Sequence, residues 1–134
     1  METDKDTSFD PSRPYELTLE YRPQYLYAFV RGEKDSCEIS RQYWKEIADE
    51  CNKSGIKKVL IEEDITENIS MPDMYRFASE IPDLGFHGVR VAFFDRHETQ
   101  HQLNQFGETV ATNRGLVSRV FNNFAEAEKW LLSE

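Results

Sequence analysis

The sequence predicts an α/β domain built on a mostly parallel, five-stranded sheet with about four helices. Three observations lead there. After an opening hairpin, apolar stretches of strand length alternate with stretches of helical period in the order βαβαβαβα. Val89 to Asp95 is apolar at nearly every position, the pattern of a strand buried on both faces. Helix-start residues and glycine stops fall where this order needs them: Asp35 or Ser36, Ser70 and Asn123 as starts, Gly55 and Gly115 as stops.

Residues 1 to about 13 read as a flexible leader and 14–134 as a single domain. Tyr15 to Tyr21 alternates Leu17, Leu19 and Tyr21 on one face, a half-buried strand. Arg22-Pro23-Gln24 is a turn into a second strand, Tyr25 to Arg31, which makes the hairpin. The first helix buries Ile39, Tyr43, Ile47 and Cys51 and stops at Gly55. Val59 to Asp64 is the third strand, followed by an acidic, polar loop that runs to Ser70. Ser70 caps a helix with Asp73 in capping-box position and Pro72 in its first turn, burying Met74, Phe77, Ala78 and Ile81. After the fourth strand a helix from about Glu98 to Asn113 buries Leu103, Phe106 and Val110. Leu116 to Phe121 is the fifth strand, and Asn123 caps a short helix carrying Ala127, Trp130 and Leu131.

Sixteen basic residues against 25 acidic ones give a net charge of −9, which opposes nucleic-acid binding and docking on anionic membrane. Apolar runs such as Val91-Ala92-Phe93-Phe94 are far short of the roughly 20 residues a bilayer span needs. Met1 to Arg13 lacks the apolar core of a signal peptide. Cys37 and Cys51 match no zinc or redox spacing and read as reduced structural thiols, from which a cytoplasmic location is expected. No cofactor signature is present.

His97-Glu98-Thr99-Gln100-His101 matches the zinc-hydrolase pattern H-E-x-x-H, in which two histidines one helical turn apart hold the metal and the glutamate activates water. The third ligand is missing: Asn104 and Gly107 stand where an extended signature needs glycine and histidine, and nothing aims Glu126 or Glu128 at the pair. The run also straddles a strand end and a helix start. His97, Glu98 and His101 are therefore read as a coincidental match and a solvated face. His87, between Gly85 and Gly88, reads as a turn histidine. Glu62, Glu63, Asp64 and Glu67 crowd the end of the third strand and Asp95 ends the fourth. Solvated acids at a sheet edge are expected, with Asp64 and Asp95 near enough to form a weak cation site. A phosphoacceptor receiver would further require a lysine after the fifth strand, where Asn122 and Asn123 stand.

The run Ser54-Gly55-Ile56-Lys57-Lys58-Val59-Leu60-Ile61 and the closing Val120-Phe121-Asn122-Asn123-Phe124-Ala125-Glu126-Ala127-Glu128-Lys129-Trp130-Leu131-Leu132 resemble the STAS domain. That is the fold of anti-sigma-factor antagonists and of sulfate-transporter tails, and the resemblance covers about residues 15 to 132. The similarity extends to small single-domain bacterial members without an assigned activity. It implies a non-enzymatic regulatory module with a protein partner, a second copy of the chain being one candidate. In the antagonists a serine at the start of the second helix is phosphorylated, and Ser70 stands there. The family motif is close to Asp-Ser-Ser-Gly, whereas this chain reads Asn68-Ile69-Ser70-Met71, so Ser70 is first an N-cap and second a candidate phosphoacceptor. Asp64, Glu67, Asn68, Ser70 and Met71 form the expected contact surface. The load of aromatic rings leaves a second reading open, a carrier of a small lipid-like molecule between sheet and helices.

Overall fold

The computed structural model describes residues 13–67 and 69–133. The order of elements is β1 (Tyr15–Tyr21), β2 (Leu26–Lys34), α1 (Cys37–Ser54), β3 (Lys58–Glu67), α2 (Met71–Glu80), β4 (Arg90–Asp95), α3 (His101–Asn113), β5 (Val117–Phe121) and α4 (Phe124–Leu132). Short 3₁₀ turns at Ile81–Leu84 and Glu98–Gln100 follow α2 and precede α3. The sheet runs β1-β2-β3-β4-β5, antiparallel between the first two strands and parallel elsewhere. The expected leader lies outside the described residues except for Arg13, whose guanidinium meets both carboxylate oxygens of Glu46 at 3.0 Å.

Neighbouring parallel strands joined in sequence by right-handed crossovers put their helices on one face. Accordingly α1, α2 and α3 cover one side of the sheet, with Val30, Tyr43, Ile47, Ile61, Phe77 and Val91 among its core. Among the described residues the other side carries α4 alone, over Tyr25, Leu60 and Ala92. The rings divide between the two cores. Trp44 stacks on Phe93 with centroids 5.9 Å apart and meets Phe77 edge-on, while Phe124 meets Tyr27 and Phe94 on the far face. Cys37 and Cys51 are buried free thiols, and burial pushes the Cys51 thiol up to about 11.

Helices α1, α2 and α4 start at the capping residues the sequence marks. Ser36 Oγ accepts from the Ile39 N–H, and Gly55 closes α1 in the left-handed conformation (φ 80°) that a side chain would strain. Asn123 caps α4 by accepting from Glu126 N–H.

Two sequence expectations are corrected. The strand β3 continues past its expected end at Asp64 to Glu67, so Ile65, Thr66 and Glu67 belong to the sheet beside β2 and not to the loop. The buried stripe of α3 is Asn104, Gly107 and Ala111, while Leu103, Phe106 and Val110 pack only partly against the core. The reason is spacing between helices. A Cβ at Gly107 would stand 2.6 Å from Met74 Sδ, so the smallest residue faces α2 and the larger ones flank the contact.

Candidate functional site

Of the residues expected to form a contact surface, Ser70 and Met71 lie at the start of α2. Ser70 holds extended backbone (φ −72°, ψ 161°), and its Oγ accepts from Asp73 N–H at 3.3 Å, the capping bond anticipated from the sequence. Met71 and Tyr75 follow one helical turn apart, 59% and 50% exposed, while Met74, Phe77 and Ala78 hold the opposite side of the helix in the core. Arg114, just beyond α3, reaches the Tyr75 hydroxyl at 3.4 Å. Glu67 is exposed at the end of β3. Asn68 lies outside the described residues. Tyr75 was missed in the sequence reading, although its place four residues after Met71 and one after a core methionine marks an outward position on the helix.

Asp64 does not belong to that surface. Side chains alternate along β3, and Val59, Ile61 and Ile65 face the three helices, so Glu62 and Asp64 point to the α4 side. There Asp64 meets His97 Nε2 at 2.8 Å and Arg96 at 3.7 Å. Glu62, also buried, accepts from the Tyr27 hydroxyl and from Arg96 Nε, each at 2.5 Å, and Arg96 lies over the Phe29 ring. Glu62 is thus buried and paired and Asp64 half-buried and paired, whereas Glu67 is exposed as expected.

The same alternation separates Asp64 from Asp95. Register pairs Asp95 with Glu63, and both lie on the helix-covered face, 4% and 2% exposed. The carboxylate brought to Asp95 is therefore Glu63. Asp95 accepts from His97 N–H and from the Asn104 amide, each at 2.8 Å. Asp35, beyond the end of β2, accepts from Ser36 N–H at 2.8 Å and from Ser40 at 2.7 Å. Glu63 accepts from the Tyr43 hydroxyl at 2.6 Å and lies within hydrogen-bonding reach of both aspartates. Desolvation, then the neighbouring carboxylates, lifts Glu63 well above the usual carboxylate range; desolvation likewise raises Asp95 and brings Asp35 to about 6. Glu63, Asp35 and Asn104 border a cavity of about 50 Å³ whose wall is largely apolar, with Trp44, Phe77 and Phe93 in it, and also carries Glu108 and Ser118. This acid cluster was not foreseen. Glu63 shares the parity of Ile61 and Ile65 in its strand, the one signal that could have placed it inside.

His97 precedes the 3₁₀ turn with extended backbone, and His101 opens α3 behind it. The H-E-x-x-H spacing therefore does not lie on one helix, and His97 is committed to Asp64. Glu128 is likewise occupied, by the Tyr25 hydroxyl at 2.6 Å. Among the described residues no group of three or more His, Cys, Asp or Glu side chains is arranged to hold a metal ion, and no helix is long and apolar enough to cross a membrane.

No family model and no curated protein matches the sequence. Solved structures do. An uncharacterised protein of the DUF3478 family with a SpoIIAA-like fold, from Shewanella loihica PV-4, matches at 18% identity over 87% of this chain and 93% of its own, with a TM-score of 0.53. The chain has a SpoIIAA-like, STAS-type fold. The phosphorylated form of SpoIIAA, a Bacillus cell fate determinant, matches at 11% identity over 85% of this chain and 98% of its own, with a TM-score of 0.49. In the SpoIIAA-like frame the exposed start of α2 and the buried acids share the carboxyl end of the parallel strands, where open α/β sheets meet ligands and partners.

Proposed function

We propose that the chain is a non-enzymatic SpoIIAA-like regulatory module that binds a protein partner through the start of α2. One observation carries this reading: Met71 and Tyr75 are exposed on consecutive turns of a helix whose other side is fixed in the core. Isolated exposed apolar residues are ordinary on protein surfaces. A methionine and a tyrosine side by side are the adaptable and rigid parts from which contact patches are built. Glu67 and Ser70 border the pair and supply a polar rim.

Ser70 would act as the modulator of that surface. Its side chain lies at the positive end of α2, where a phosphate would meet the helix dipole and the Asp73 N–H and would add charge beside Met71. The buried free thiols Cys37 and Cys51 support a reducing, cytoplasmic setting. A second copy of the chain is a candidate occupant of the same patch. Affinity capture from the native cell extract tests the proposal: a specific partner recovered by the wild type should be lost with Ser70→Asp. Equal recovery with both would count against this surface.

The carrier reading has less support. Ligand pockets run to roughly 300–1,000 Å³, whereas the cavity between the sheet and the helices is about 50 Å³, room for a few water molecules and not for a lipid.

A further inference from the structure

Three carboxyl groups, from just beyond β2, from within β3 and from the end of β4, meet under α1 and α3, with no basic side chain of the described residues among them. Their donors are unequally shared. Asp35 has the Ser36 N–H and the Ser40 hydroxyl, and Asp95 has the His97 N–H and the Asn104 amide. Glu63, between them, has the Tyr43 hydroxyl alone. The two aspartates are thus equipped to be anions. Glu63 is not: deprotonated, it would be a third buried charge with one donor and a carboxylate on either side.

We propose that Glu63 carries a proton at neutral pH, shared as a hydrogen bond with Asp35 and Asp95, and that this proton locks the seam between α1, β3 and α3. The upward shift of all three carboxyls agrees with this geometry. Other elements offer no substitute for the proton. The α2 helix contributes apolar Met74 and Phe77, and Ser118 of β5 is neutral. Glu108 of α3 adds a further acid to the cavity wall and is held by Val120 N–H. Gln100 spends its amide on the carbonyls of Ile65 and Thr66. The side chains of the basic residues nearest in the chain, Arg96 and His97, are paired with Glu62 and Asp64 on the other face of the sheet, and what His97 gives Asp95 directly is its backbone N–H. The adjoining cavity gives water a place to enter once Glu63 ionises.

The consequence for stability has the opposite sign to that of ordinary surface carboxylates. A carboxyl raised in the folded state binds more protons folded than unfolded, so stability is greatest below the unfolded value near 4 and falls as pH rises toward the folded value. Asp35 places the start of that fall between about 4 and about 6, and Glu63 extends it upward.

The test joins chemical denaturation with infrared spectroscopy. Between about pH 5 and about pH 8 the wild-type unfolding constant should rise, by up to about tenfold per pH unit for one retained proton. Glu63→Gln keeps an acceptor for Tyr43 but removes the proton, so it should flatten the profile. The wild type should also show the carbonyl stretch of a buried carboxylic acid at neutral pH, absent from the variant. A wild-type profile that is flat or improves with pH would overturn the proposal, as would a carboxylic-acid band that survives in Glu63→Gln. Should that variant not fold, Asp35→Asn removes one neighbouring charge and should move loss of the wild-type band to lower pH; an unmoved band would contradict the shared proton.

Discussion

The Tyr43 hydroxyl donates to Glu63 Oε2 at 2.6 Å, joining the middle of α1 to the middle of the sheet inside the core. Burial, with the charges of Glu63 and Asp35 behind it, holds the Tyr43 phenol far above its ordinary value, so it remains a donor throughout the physiological range. Tyr43→Phe keeps the ring and its edge contact with Tyr15 at 5.5 Å but strips Glu63 of its one donor. Leaving a buried acceptor unsatisfied costs about 1–3 kcal/mol, and urea denaturation near neutral pH should show a loss in that range. A loss near zero would mean that water replaces the hydroxyl from the cavity.

Ser70 separates capping from signalling. Ser70→Ala removes the bond to Asp73 N–H and should lower stability by about 1 kcal/mol, whereas Ser70→Asp retains an acceptor at the helix start and should stay within about 0.5 kcal/mol of the wild type. Thermal unfolding of the three proteins checks both values. Equal destabilisation by the two substitutions would show that the side chain is not acting as a cap.

Gly107 sets the distance between α2 and α3. Gly107→Ala brings a methyl to 2.6 Å from Met74 Sδ, and the flexible methionine must move or the helices must part. Overpacking of this kind costs about 1–3 kcal/mol, against a gain in helix propensity of about 1 kcal/mol. A net loss on denaturation is expected in Gly107→Ala, and the same substitution should cost less in a Met74→Ala background, where the collision is vacated.

The order of elements was legible because apolar period and capping residues are local signals. Ser36, Ser70 and Asn123 each hold the cap their neighbours imply, and Gly55 ends α1 as expected. Interior polarity was not legible. Glu62 and Glu63 read as solvated because acids are rarely buried, and the partners that allow burial, Tyr27, Arg96 and Tyr43, lie 20 to 35 residues away in sequence. The face of α3 was misread for a related reason: Asn104 is buried by its bond to Asp95 and Gly107 by its contact with Met74, neither of which hydrophobicity reports. Of the candidate surface, Ser70 and Met71 could be placed from the sequence, while Tyr75 needed the helix to be fixed on its core side.

The contact surface itself is tested most directly by placing a photo-crosslinking amino acid at position 75 and irradiating the protein in its native cell extract. One discrete adduct should form, and it should diminish when Met71→Glu is added, because residues 71 and 75 present a single patch. The same probe at exposed Lys53, in the last turn of α1, should yield none. No adduct at position 75, or equal adducts at both positions, would contradict the assignment of α2 as the partner-binding face.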